Sequence, residues 1–180
     1  MSDQDEAVRA LLDRDEIHRL LTTYTRGLDR RDERMVASVY HPDAVHEHGM
    51  FRGTGAEFAE YALRGLRTME RTMHCLWQSL IDVHAANRAS GETYAVACHR
   101  VASSKGGGWA DHNIWVRYID TFERRDGGPW LIASRTVVYE WGRVDQVDRQ
   151  WNLTDAYVRG THDATDPVHA ILGVKRMDGA

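Results

Sequence analysis

Lysine is almost absent: of 180 residues only Lys105 and Lys175 are lysines, although arginine is plentiful. Cysteine is nearly as rare. Cys75 and Cys98 have no CxxC spacing, so a reduced, cytoplasmic protein is expected. No run approaches 18 apolar residues, so no segment is expected to span a membrane. The start, "MSDQDEAVRALLDRDE", is charged and lacks the apolar core of a signal peptide. There is no basic surplus either. A net charge of −4 argues against a nucleic-acid partner, which needs a positive face. Apolar content of 42% is ordinary, which speaks against disorder. The length suits one domain with a real core, and there is no internal repeat.

What is present divides into two halves. Residues 4–29 carry Leu11, Leu12, Ile17, Leu20, Leu21, Tyr24 and Leu28 at helical spacing, which predicts one long amphipathic helix. "LDRRDERMVASVY" restarts as a short helix, and "HPD" should stop it, because the residue before a proline avoids the α region. "AVHEHGMFRG" reads as a short strand and turn, and "TGAEFAEYALRGLRTM" as a third helix. Beyond residue 71 the segments 72–84, 92–104, 109–123 and 129–141 are rich in β-branched and aromatic residues. The turn chemistry of "NRASGE", "SKGGG" and "RRDGGP" separates them. Helices first and hairpin-linked strands afterwards predict an α+β fold, with an antiparallel meander curving over helices around an apolar hollow. The expected organisation is a domain over 1–145 and an extension over 146–180 that docks on the same or a neighbouring subunit.

The polar residues of interest lie on these elements. His74, in "RTMHCLWQ", shares its strand face with Leu76 and Gln78, a face that suits either solvent or a pocket. Asp29 closes the first helix, where a cap for the next helix is the ordinary use. Tyr24, roughly 140° away on the wheel, only loosely shares that face. His46 and His48 point to one side of their strand and Glu47 to the other. Such an H-x-H pair can supply two metal ligands, but a third would have to come from elsewhere. Arg135 has the parity of Val137 and Tyr139, and facing inward it would need an anionic partner.

In order, "EIHRLLTTYTRGLDRRD", "YHPDAVHEHG", "RTMHCLWQ" and "YIDTFERRDGGPW" resemble the SnoaL-like branch of the NTF2-like superfamily over residues 8–141. The resemblance implies a cystatin-like cone, a curved antiparallel sheet wrapped around N-terminal helices with an internal pocket. The sequence is most similar to that family's cofactor-free lyases: scytalone dehydratase, the bile-acid 7α-dehydratases and hexachlorocyclohexane dehydrochlorinase. These pair an aspartate at the end of the first helix with a histidine on the first long strand, which maps to Asp29 and His74.

The resemblance further implies Tyr24 as a substrate-binding tyrosine. His48 stands where the dehydratases have a second tyrosine. Arg135 matches an arginine of the last strand, which some members place nearer Tyr139. Leu76 and Trp115, with Trp141, are expected to shape the pocket. The implied function is dehydratase-type β-elimination or isomerisation of a hydrophobic cyclic small molecule, without cofactor and without bound metal. The proton would go to a histidine held by a buried aspartate. A homo-oligomer, preferentially a trimer, is implied, with Trp77, Ile81 and Val83 needing cover. Two other readings remain open. One is a non-catalytic small subunit of a ring-hydroxylating dioxygenase, or a ligand-binding relative. The other is a metal-dependent enzyme using His46, His48 and a third histidine such as His74 or His99.

Overall fold

A computed structural model of the chain describes residues 2–104, 106–151 and 153–171. The last nine residues of the expected extension lie outside the described residues. Helix α1 spans Asp3–Asp29 and opens with a capping box between Ser2 and Asp5. Its buried face is Ile17, Leu20, Leu21, Tyr24 and Leu28. Leu11 and Leu12 do not join it and are 62% and 58% exposed. Burial instead begins at Asp13, which accepts from the Trp130 indole N–H at 3.1 Å and pairs with Arg124 at 2.8 Å. This polar clasp fixes the helix against the sheet, and the aromatic stripe further along does the rest.

Helix α2 spans Glu33–Ala37 and α3 spans Gly55–Leu66, with Thr54 and Glu57 forming a second capping box. The strands are β1 (Tyr40–His48), β2 (Phe51–Thr54), β3 (Arg71–Ala85), β4 (Arg88–Ala102), β5 (Trp109–Arg124) and β6 (Trp130–Val147). They form one sheet in the order β2-β1-β6-β5-β4-β3. Strands β3 to β6 are the expected antiparallel meander, and β1 joins β6 in parallel. A short helix, α4 (Val168–Ile171), follows the tail. No helix among the described residues is long and apolar enough to cross a membrane. The α+β class and the cone of sheet and helices are as the sequence implied.

Three details depart from the sequence reading. "HPD" does not stop the second helix, which already ends at Ala37; it lies inside β1. Its proline sits where the β1–β6 register slips between Tyr40 and Val45, a place where a missing N–H is tolerated. "NRASGE" is mostly strand, because the β3–β4 hairpin turns on Ala86 and Asn87 alone. Most consequential, a bulge between Leu76 and Ser79 inverts the faces of β3. Thr72 and Leu76 face the core before it, and Ile81 and Val83 after it. Ile81 and Val83 therefore need no external cover, whereas Trp77 remains 56% exposed.

Two glycines of α3 should respond oppositely to alanine. A Cβ at Gly55 would lie 2.2–2.6 Å from the Tyr40 side chain, while one at Gly65 would meet nothing within 4 Å. Gly55→Ala is expected to cost about 1–3 kcal/mol by overpacking. Gly65→Ala is expected to stabilise by about 0.5–1 kcal/mol through helix propensity. Urea denaturation midpoints of the two variants check this.

Candidate functional site

Helix α1 stops where it does because Arg31 takes a left-handed φ of 55°. Its closing bonds run from Arg30 N to Arg26 O, from Arg31 N to Leu28 O and from Asp32 N to Gly27 O. Asp29 is thereby the last helical residue, and its side chain reaches β3. One carboxylate oxygen accepts from the His74 backbone N–H at 2.9 Å. The other meets His74 Nδ1 at 2.8 Å and the Thr72 hydroxyl at 3.4 Å. The side chains are 16% and 7% exposed. A carboxylate can only accept, so Nδ1 carries the proton and Nε2 is the nitrogen left free.

His74 lines a cavity of about 450 Å³ between α1, α3 and the sheet. Its walls are largely apolar, with Leu28, Phe58, Leu66, Met69, Ile114 and Val116. The polar residues lining it are Tyr24, His48, Tyr61, Arg64, His99 and Tyr118, besides His74. Tyr24 and Tyr118 are held neutral, because burial pushes both phenols above their ordinary range. Burial also lowers His99 to about 4, helped by the neighbouring His74. The Nε2 of His99 is buried and has no hydrogen-bond partner among the described residues. The His74 and His99 rings meet edge to face at 5.4 Å.

Behind the tyrosines lies a buried charge pair. Arg135 Nε and Nη2 donate to the two Asp120 oxygens at 2.7 Å each. The guanidinium lies against the rings of both Tyr24 and Tyr118, 4.3 and 4.4 Å from their centroids, and the two rings meet each other edge to face. Burial raises the Asp120 carboxyl, and Arg135 opposes that rise. Burial likewise disfavours the Arg135 charge, but Asp120 together with Tyr40 and Tyr24 more than restores it. With two short charge-assisted bonds, the pair is ionised.

The structure thus brings Asp29, His74, Tyr24 and His48 together. It does not bring the other expected residues to the cavity. Arg135 does face inward, but it is fully buried and its partner is Asp120, so it stands behind the wall. Leu76 packs against the core just ahead of the β3 bulge and does not line the cavity. Trp115 is on the opposite face, stacked on Trp141 at 5.3 Å beside Trp77 and Tyr94. Tyr139 is 63% exposed, at the point where Glu140 has no opposite residue and the β5–β6 register slips.

The metal reading of His46 and His48 also meets a structural obstacle. His46 is fully buried, with its ring stacked 3.6 Å from that of Phe58 and its Nδ1 bonded to the Tyr40 hydroxyl at 2.8 Å. Burial lowers its pKa to about 2. Among the described residues, no three His, Cys, Asp or Glu side chains are grouped to hold a metal ion.

Tyr118, Asp120 and Thr72 had no individual signal in the sequence, and His99 had one only as a possible metal ligand. Cross-strand register is what places them: His99 opposite Thr72, and Asp120 opposite Arg135.

Residues 9–136 match the model of the SnoaL-like domain. The chain belongs to the SnoaL-like family. Among solved structures, the family fold recurs in a type-2 hexachlorocyclohexane dehydrochlorinase at TM-score 0.70 and 21% identity. That alignment covers 81% of this chain and 97% of the other. A provisionally assigned scytalone dehydratase from Novosphingobium aromaticivorans aligns at TM-score 0.66 and 20% identity, covering 81% and 99%. A protein of unknown function with a cystatin-like fold, from Nostoc punctiforme, aligns at 0.55 and 20%, covering 72% and 92%. At such identities the likeness establishes the fold. No curated protein sequence matches the chain.

The depressed histidines make stability depend on pH. His99 is neutral in the fold down to about 4, whereas the unfolded chain takes up that proton near 6.5. Between these values the unfolded state binds more protons, so stability is complete above 6.5 and falls as the pH drops toward 4. From pH 7 to pH 5, His99 alone should account for about 2 kcal/mol. His46 adds to the loss in the same direction. Urea midpoints at the two pH values should differ accordingly, and His99→Gln should shrink the difference.

Proposed function

We propose that the chain is a cofactor-independent lyase that removes water, or a comparable leaving group, from a hydrophobic cyclic substrate. The observation that carries this reading is the grip of Asp29 on Nδ1 of His74, which leaves Nε2 as a base on an apolar cavity. Nε2 takes a proton from the carbon beside a carbonyl. The electrons form the C=C bond as the C–O bond breaks. The departing hydroxyl leaves as water with a proton from a neutral donor. Asp29 fixes the tautomer of His74 and stabilises the imidazolium formed. Tyr24 and His48 polarise the carbonyl, and Tyr118 and His99 add further uncharged hydrogen-bonding groups. Isomerisation uses the same steps, with the proton returned to another carbon.

The cavity size suits a ring system, within the range typical of small-molecule sites. Among its polar groups Tyr24, Tyr118 and His99 are held neutral, and Arg64 brings a guanidinium to the same lining. The names of the compared dehydrochlorinase and dehydratase agree with elimination chemistry. Arg135 supports the reaction from behind the wall, holding the Tyr24 ring by its face.

A homo-oligomer, with a trimer favoured, is part of this reading. The sheet face away from the helices presents Met73, Trp77, Leu80 and Trp141, each more than half exposed. Light scattering should give a multiple of the 20.6 kDa chain, and a monomer would contradict it.

The chemical test is a panel of cyclic β-hydroxy ketones, followed by the ultraviolet absorbance of the enone product. Wild-type protein should turn over at least one class. His74→Ala and Asp29→Ala should each lower turnover by about 10²–10⁴-fold while the circular dichroism spectrum is unchanged. Full activity in either variant would remove the mechanism.

A further inference from the structure

The tail returns to the end of α1. Strand β6 ends at Val147, and the family match ends earlier, at residue 136. Residues 161–168 then close a small knot around Asp166, which is only 5% exposed. Its carboxylate accepts from Thr161 N at 3.0 Å and Val168 N at 3.1 Å, and it pairs with Arg30 at 3.7 Å. From this knot His162 projects onto two backbone carbonyls. Its Nδ1 is 2.9 Å from Asp29 O, and its Nε2 is 3.4 Å from Glu70 O.

These two carbonyls are not arbitrary ones. A helix leaves its last carbonyls without an internal partner. The closing bonds of α1 use the carbonyls of Arg26, Gly27 and Leu28, and the carbonyl of Asp29 is the next in line. Glu70 immediately precedes β3, the strand that carries Thr72 and His74. One imidazole therefore lies against both chain segments that the Asp29 carboxylate also joins, although a neutral ring can donate to only one of the two carbonyls. In the neutral ring the single proton belongs on Nδ1, where the bond is shorter.

We propose that His162 is a positioning residue for the Asp29–His74 pair. It caps α1 from outside the family fold and holds the Asp29 backbone, so that the carboxylate keeps its bond to His74 Nδ1. The tail knot is then part of the site, docked on its own subunit. This role rests on the reading of His74 as a base held by Asp29. It predicts that loss of His162 loosens the His74 Nδ1–H bond, although the bonds His162 makes are to backbone carbonyls.

The test is solvent exchange of the His74 Nδ1 proton in the full chain, labelled with ¹⁵N-histidine and followed by NMR. Wild-type protein should show a slowly exchanging proton and one tautomer. His162→Ala should speed the exchange at least tenfold and mix the tautomers. His162→Asn, whose amide supplies a donor in place of Nδ1–H, should restore most of the protection. Asp166→Ala, which opens the knot without touching Asp29, should also speed exchange. An exchange rate within twofold of wild type in His162→Ala would overturn the proposal. So would an Asn variant as fast as the Ala variant, since that result would mean only general loosening. Asp29→Asn separates the two ideas. If it leaves the His74 signal unchanged, the Asp29–His74 reading fails and the positioning role fails with it.

Discussion

One carboxylate joins the helical and sheet halves of the site. Asp29 stands at the end of α1 and takes the backbone N–H and the ring N–H of His74 from β3, with Thr72 alongside. Charge-assisted bonds of this kind are the stronger sort, and few of them are exposed to water here. They set the position of β3 against α1, the tautomer of His74 and the shape of the cavity wall at once. The rest of the fold can be read as support for this contact. The clasp of Asp13 with Trp130 and Arg124 holds the middle of the helix, and Tyr24 and Leu28 pack its second half.

The electrostatics behind the wall complement it. A buried arginine and aspartate would be costly alone, and breaking such a pair is usually more damaging than never having it. Here the pair is bidentate and its guanidinium lies against two tyrosine rings. It places a fixed positive charge close behind two cavity hydroxyls while keeping that charge out of the cavity. Around the space itself burial holds Tyr24, Tyr118 and His99 neutral. A ligand there would meet hydrogen-bonding groups in a dry, apolar setting, which is where oriented dipoles act most strongly.

Much of this was legible in the sequence, for identifiable reasons. The spacing of Ile17, Leu20, Leu21, Tyr24 and Leu28 marked α1, and the turns marked the meander. The order of motifs pointed to the family and, through it, to Asp29 and His74. What was not legible depended on strand register. Alternation assigns faces correctly only until a bulge intervenes, and this sheet has bulges in β3 and between β5 and β6. They are why Ile81 is core, why Tyr139 lies outside and why the face of a residue cannot be counted from one end of a strand. Asp120 illustrates the other limit. Nothing in "YIDTFERR" marks it, and only its position directly opposite Arg135 makes it the partner that an inward arginine requires.

The central claim is that His74 keeps Nδ1 for Asp29 and Nε2 for a substrate proton. Elemental analysis of tag-free protein, purified without chelator, tests it without knowledge of the substrate. The account predicts no stoichiometric transition metal. One zinc or iron per chain, lost on His74→Ala or His48→Ala, would place a metal on Nε2 and contradict the account.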